Sequence, residues 1–251
     1  MADEVRCRDW ALARPVNVPA VVSGQSRSGS AGGALRIAAV VLGAIVTLAC
    51  GPKPLTTTPS EIGQPVIRRI VVLGDSLAVS PSPAESFPAR LQLRITNEGL
   101  PFKVTNAGVN GETTQGGLRR FEPLLASDVA VVIVELGAND GLQGVSVETV
   151  ERNLSTIISA VLRSGRLALL CGIEVPPLHG FAYSLSFHWI FPRLAEQHSI
   201  PLVPFLLAGV ILNPDLNGPD FIHPNAAGAE RMAETVWPYL RPLLERPVTA
   251  P

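Results

Sequence analysis

The sequence predicts an α/β fold of three layers, with helices on both faces of a five-stranded parallel sheet. Two observations predict it. From Arg68 onward, short apolar runs rich in Val, Ile and Leu recur, most of them without apolar–polar alternation. Runs of that kind are strands buried on both faces, as in parallel sheets. Between successive runs lie stretches with helical length and punctuation, the crossovers that parallel neighbours need. At 251 residues and 47% hydrophobic content, the chain suffices for one good core.

The elements follow in order. Ile70–Leu73 is a β-branched run bounded by Gly74, which lets the chain turn sharply. A helix over about Phe87–Asn97 is closed by Gly99, and Phe102–Thr105 reads as the second strand. A helix over about Gln115–Leu125 leads to Val129–Leu136, the most strand-like segment of the chain. Ser146 is placed to cap a long helix reaching Arg163, with Gly165 as its stop. Leu167–Ile173 is the fourth strand, Tyr183–His198 a further helix and Leu202–Phe205 the fifth strand. Asn225 caps the last helix.

The first part of the chain does not read as fold. Residues 1–33 are polar, Ser/Gly-rich and aperiodic; Arg36 then precedes the apolar run Ile37–Ala49, which ends at Cys50. A positive residue, a short apolar stretch and small residues make the shape of an export signal. The run falls short of the ~20 residues of a confident membrane span. It resembles the leader of a bacterial lipoprotein, in which Cys50 becomes the lipidated first residue. A cleaved soluble signal and an uncleaved anchor are the alternatives. Gly51–Pro65, rich in Pro and Thr, reads as a tether. The division is therefore a leader over 1–49, a linker over 50–67, a domain over 68–245 and a tail over 246–251. The expected location is the periplasm or cell envelope, with the membrane reached through an N-terminal lipid or anchor.

Charge and cysteines exclude other classes. The formal net charge of -1 gives no basic character for nucleic acid. Cleavage before Cys50 removes five of 20 basic and three of 21 acidic residues, leaving about -3 by the same counting. Cys7, Cys50 and Cys171 are far apart, with neither C-x-x-C pairing nor zinc spacing, so neither a disulfide framework nor a metal site is expected. Cys171, inside an apolar run, reads as a small buried thiol.

The strand ends carry the chemistry. Leu73-Gly74-Asp75-Ser76-Leu77 places a serine just past the first strand, where open α/β sheets put ligands. Alone, it fits equally a serine that caps a turn. Asp220-Phe221-Ile222-His223-Pro224-Asn225 places an acid three residues before a histidine. In one tight turn that carboxylate reaches the imidazole Nδ1 and leaves Nε2 for a serine. Alone, it fits equally an incidental surface turn. Asn106–Thr113 follows the second strand, and Leu136-Gly137-Ala138-Asn139-Asp140-Gly141 the third. If the sheet is ordered 2-1-3-4-5, as in flavodoxin-like folds, strands one and three are neighbours, and Ser76 and Asn139 meet where the winding reverses. The Ser76 and Gly111 backbone N–H groups and the Asn139 amide then form an oxyanion hole.

Ser76, Gly111, Asn139 and His223 fall in order in the four blocks that name the SGNH, or GDSL, hydrolases. The chain resembles that family from about Arg68 to Leu244, and within it the bacterial arylesterase and thioesterase I/lysophospholipase branch. Val134–Leu142 and Asn110–Leu118 carry the likeness beyond the four residues. The resemblance implies hydrolysis of carboxylic, thio- or lysophospholipid esters by a Ser76–His223–Asp220 triad without any cofactor. The expected partner is a small acyl ester, and the expected state a monomer. A carbohydrate or cell-wall O-acetylesterase is the second reading, and a silent binding protein on the same fold the third. Two departures bear on substrate range. Ala78-Val79-Ser80-Pro81-Ser82-Pro83 replaces a Gly-Tyr-containing loop, and Phe221 stands where the branch has Gly.

Other residues receive lesser roles. Asp75 reads as a turn-stabilising carboxylate, and Glu135, a charge in an apolar strand, as support for neighbouring loop backbone ahead of a catalytic role. His179 reads as a solvent-exposed loop residue, or else as bordering the substrate cleft. His188 and His198 receive no function. The loop Leu206–Leu212 either packs on the core or lines an acyl pocket.

Overall fold

In the computed structural model, which describes residues 66–246, the sheet is built from β1 (Arg68–Gly74), β2 (Phe102–Asn106), β3 (Val129–Glu135), β4 (Leu167–Cys171) and β5 (Leu202–Val203). Its order is β2-β1-β3-β4-β5 and every pairing is parallel, as expected. All seven residues of β3 are buried. Their unbroken apolar run before Glu135 is therefore a strand with no solvent face.

The helices are α1 (Ser76–Val79), α2 (Phe87–Asn97), α3 (Thr114–Arg120), α4 (Ala138–Gln143), α5 (Val147–Arg163), α6 (Phe181–His188), α7 (Ile190–His198) and α8 (Ala226–Leu244). They form two layers: α2 packs on α8, and α5 packs against both α3 and α7. Arg94 on α2 reaches Glu230 on α8 at 2.5 Å. Ser146 caps α5 by accepting the Thr149 N–H, and Asn225 caps α8 through Ala227 N and Gly228 N at 2.9 and 3.0 Å. Each cap satisfies N–H groups that the first helical turn leaves without partners.

The structure departs from the sequence expectations in four places. The helix expected over Gln115–Leu125 stops at Arg120 and continues as a 3₁₀ turn, Glu122–Leu124, with Pro123 in its first positions. The helix expected over Tyr183–His198 is two, jointed at Trp189. The fifth strand is only Leu202–Val203, since Pro204 has no N–H for the ladder. The short helices α1 and α4 were not expected, because segments of four and six residues are too short to show a period.

The site lies at the carboxyl ends of the strands. Because all strands are parallel, the segments after β1, β2 and β3 emerge on the same side. Gly74 at the end of β1 lies opposite Glu135 at the end of β3. Among the described residues no helix is long and apolar enough to cross a membrane. The run Ile37–Ala49 and Cys50 lie outside the described residues.

Candidate active site

Ser76 is the first residue of α1, immediately past β1. Asp75 caps that helix, its Oδ1 accepting the Leu77 N–H at 2.9 Å. Gly74 does not adopt a left-handed backbone, so its role differs from the sharp turn expected. A Cβ at Gly74 would lie 2.4 Å from Glu135 Oε2 and 2.8 Å from the Ala78 Cβ. Glycine is there because the Glu135 carboxyl and α1 press against the backbone.

His223 reaches this serine from the far end of the chain. Its Nε2 lies 2.8 Å from Ser76 Oγ, and its Nδ1 lies 2.6 Å from Asp220 Oδ2. The other Asp220 oxygen accepts the backbone N–H groups of Ile222 and His223 at 3.1 and 3.0 Å. One carboxylate thus fixes both the imidazole and the turn that carries it. The contact with His223, followed by those two backbone donors, holds the Asp220 pKa down at about 2. With Asp220 ionised, Nδ1 carries the imidazole proton and Nε2 is left to accept from Ser76.

The loop after β2 is tied to β1 by the Val109 N–H on Gly74 O, 3.1 Å. Gly111 in this loop has φ +74, which glycine adopts without a steric penalty. Among the described residues neither the Ser76 nor the Gly111 backbone N–H has an internal acceptor. Asn139 on α4 clasps the two segments together: Nδ2 donates to Asp75 Oδ2 at 3.1 Å and to Glu112 O at 2.9 Å. The structure therefore links the neighbours of Ser76 and Gly111 through the one amide that the sequence singled out. Arg120 extends the tie, pairing with Glu112 and donating to Gly74 O at 3.2 Å.

Sequence reasoning missed the support beneath this clasp. Asp140 accepts from Thr114 N at 2.7 Å and from Thr114 Oγ1 at 2.6 Å, and Asn153 on α5 donates to Thr114 Oγ1 at 3.1 Å. Burial raises the Asp140 pKa, with the two Thr114 bonds opposing that rise. Asp140 pins α4 to α3 and so sets the height of Asn139. Its position beside Asn139 in Gly137-Ala138-Asn139-Asp140-Gly141 was the available signal. Asp75 and Glu135 do what was expected of them. Asp75 stabilises its turn, and Glu135 Oε2 accepts the Asp75 N–H at 3.1 Å.

The remaining residues are placed plainly. His179 is exposed, and its Nε2 lies 3.0 Å from Leu142 O. His188 contacts Glu174 and His198 contacts Ser155. Cys171 is fully buried. Leu206, Leu207 and Val210 pack on the core, whereas Leu212 is exposed. Phe221 adopts φ +59, the left-handed region in which a glycine is unstrained, and its side chain stays half exposed.

Residues 72–231 match the model of the GDSL-like lipase/acylhydrolase family. The chain belongs to that family. It is 38% identical over 184 residues to the esterase TesA of Pseudomonas aeruginosa, covering 72% of this chain and 92% of that one. It is 38% identical over 171 residues to an arylesterase of Vibrio mimicus, covering 67% and 86%. To the thioesterase 1/protease 1/lysophospholipase L1 of Escherichia coli K12 it is 34% identical over 178 residues, covering 70% and 84%. The chain is thus a GDSL-type ester hydrolase, and its motifs fall within the matched region.

Proposed function

We propose that this GDSL hydrolase is an exported serine esterase that cleaves carboxylic esters with an apolar acyl or aryl part through an acyl-enzyme. One observation carries the mechanism: the chain Ser76 Oγ–His223 Nε2–Asp220, closed at 2.8 and 2.6 Å. Ser76 Oγ attacks the ester carbonyl as His223 Nε2 takes its proton. Asp220 holds the imidazole and stabilises the imidazolium while itself remaining ionised. The imidazolium then protonates the departing alcohol. Water deacylates the serine by the same route in reverse.

The oxyanion is held by the N–H groups of Ser76 and Gly111 and by the Asn139 amide. In the resting site both Nδ2 protons of Asn139 are engaged. The bond to Asp75, the longer of the two, is the one released to the oxyanion. Phe221 and Ile222, between the triad's acid and base, are exposed. These apolar side chains beside the reacting groups favour an apolar substrate part over a sugar. The names of the relatives extend the reading to thioesters and lysophospholipids. The leader, Cys50 and the Pro/Thr tether support attachment to the cell envelope as a lipoprotein.

The test is a chain-length panel of nitrophenyl esters run beside acetylated xylan, with fluorophosphonate labelling of the same preparation. Labelling that Ser76→Ala abolishes, with turnover of acyl esters above acetate, is the expected outcome. Release of acetate from xylan alone would replace this reading by the O-acetylesterase one, and absence of labelling would remove the mechanism.

A further inference from the structure

Glu135 is a fully buried carboxyl at the end of an otherwise apolar strand. The triad and the oxyanion donors do not use it. Its Oε2 accepts the Asp75 N–H at 3.1 Å, and its Oε1 has no hydrogen-bond partner, which leaves one carboxyl oxygen free to carry a proton beside Asp75. Glycine at position 74 makes room for it, since a Cβ there would overlap Oε2. Asp75 in turn holds Leu77 N, which fixes the turn carrying Ser76, and Asn139 Nδ2. Asp75 and Glu135 are both fully buried and joined through the Asp75 N–H; two ionised carboxylates so placed repel strongly, and a single proton removes that repulsion.

We infer that Glu135 is a positioning residue held in its neutral form: it accepts the Asp75 N–H and gives its own proton to the Asp75 carboxylate, which thereby stays fixed against Leu77 N and, in the resting site, holds the Asn139 amide in place for the oxyanion. The inference rests on the esterase reading for its kinetic consequence, though not for its protonation state. In the neutral form the pair carries one negative charge beside the oxyanion site. If the shared proton left, a second charge would stand there and oppose the oxyanion. Burial first, and then the Asp75 charge, push the Glu135 carboxyl well above the usual carboxylate range. The other ionisable groups around the pair are the Cys171 thiol on β4, which burial first and then Glu135 push up, Asp140 on α4 and His223, both of which act on Asp75. Arg120 of α3 meets the adjoining Gly74 carbonyl.

The experiment compares wild type with Glu135→Gln and Glu135→Leu, each checked for cooperative unfolding. A glutamine amide reproduces both bonds of a neutral acid, with C=O toward the Asp75 N–H and NH₂ toward its carboxylate. Leucine leaves both partners unsatisfied. Glu135→Gln is expected to keep kcat within about threefold of wild type at neutral pH. It should also lack an alkaline fall in kcat that wild type shows. Glu135→Leu is expected to lose about 10–100-fold in kcat, with KM little changed. Because Glu135 also acts on the Cys171 thiol, the series is repeated in a Cys171→Ala background, where a remaining difference between the alkaline limbs belongs to position 135. A stability series supplies a readout independent of activity. A carboxyl with a raised folded pKa makes wild type progressively less stable as pH rises above the unfolded value, so the advantage of Glu135→Gln should grow with pH. Loss of kcat in Glu135→Gln as large as in Glu135→Leu, or a stability difference that does not change with pH, would overturn the inference. Failure of wild type to hydrolyse any ester would instead strike the esterase reading and leave the stability series as the test of Glu135.

Discussion

Phe221 sits between Asp220 and His223 with φ +59, and its carbonyl accepts the N–H of Leu212, itself at φ +60. For an L-residue the left-handed region costs roughly 1–2 kcal/mol, and both side chains are exposed. Two substitutions separate the backbone from the ring. Phe221→Ala and Phe221→Gly each remove the phenyl, whose partial burial contributes about 1 kcal/mol. Alanine retains the Cβ and hence the left-handed penalty. Glycine loses that penalty but has a more flexible unfolded chain, which costs about 0.4–1 kcal/mol. The difference leaves Phe221→Gly more stable than Phe221→Ala by about 0.5–1 kcal/mol, an inversion of the usual order. Urea unfolding with a common slope measures it, and a thermal scan should separate the variants by about 1–4 °C. Because Asp220 holds the turn through Ile222 N and His223 N, kcat on a short ester should stay within a few-fold in both. Alanine equal to or more stable than glycine would refute the strain assignment at Phe221.

Ser76→Ala should leave the domain folded and nearly abolish ester hydrolysis. His223→Ala should lose a similar factor and the double variant little more, whereas multiplicative losses in a folded double variant would break the triad assignment. Asn139→Ala should lower kcat by roughly 10²–10³ with little change in KM; a change in KM alone would make Asn139 a ground-state contact. The depressed pKa of Asp220 means that its contribution to stability is complete above the unfolded value near ~3.9 and is lost as pH falls toward about 2. The advantage of wild type over Asp220→Asn in denaturant midpoint should therefore be lost as pH falls from ~4 toward about 2. Mass spectrometry of the mature N-terminus, from the full-length gene in a bacterial host, should find a lipid-modified Cys50 that is missing in Cys50→Ser. An unmodified Cys50 would remove the lipoprotein reading and leave the esterase one intact.

How much of this was legible depended on whether the signal was local. The sheet was legible because β1 and β3 are buried on both faces, and burial of that kind writes itself as an unbroken apolar run. The Asp220–His223 contact was legible because the two residues sit in one turn, within reach of each other at that spacing. The joint at Trp189 was not legible, since helical composition runs through it. Glycine 74 was misread because its constraint comes from Glu135, sixty-one residues later in sequence and brought opposite it only by strand pairing. The two bonds of Asn139 were equally out of reach, because they join three loops whose relative heights are set by Asp140, Thr114 and Asn153.

The distribution of buried polar groups explains why the site holds its shape. Among the described residues these are Asp75, Ser86, Thr114, Glu135, Asp140, Asn153 and Asn217. Each one ties down a loop or helix near the strand ends that carry the site, or the segment leading to His223. Ser86 accepts from Asn106, whose amide also reaches the carbonyl of Ala78 behind Ser76. Asn217 donates to Asn213 O and has its own carbonyl bonded by the Asn225 amide, which fixes the approach to the triad turn. Buried polar groups destabilise a fold unless they are satisfied, and an apolar residue of like volume is often the more stable choice. The buried strand segments Ile70–Leu73 and Val129–Val134 carry none, so the stability given up to buried polar groups goes to holding the loops and helices that flank the strands. Substituting one member of the network should therefore reduce kcat more than it reduces the unfolding free energy.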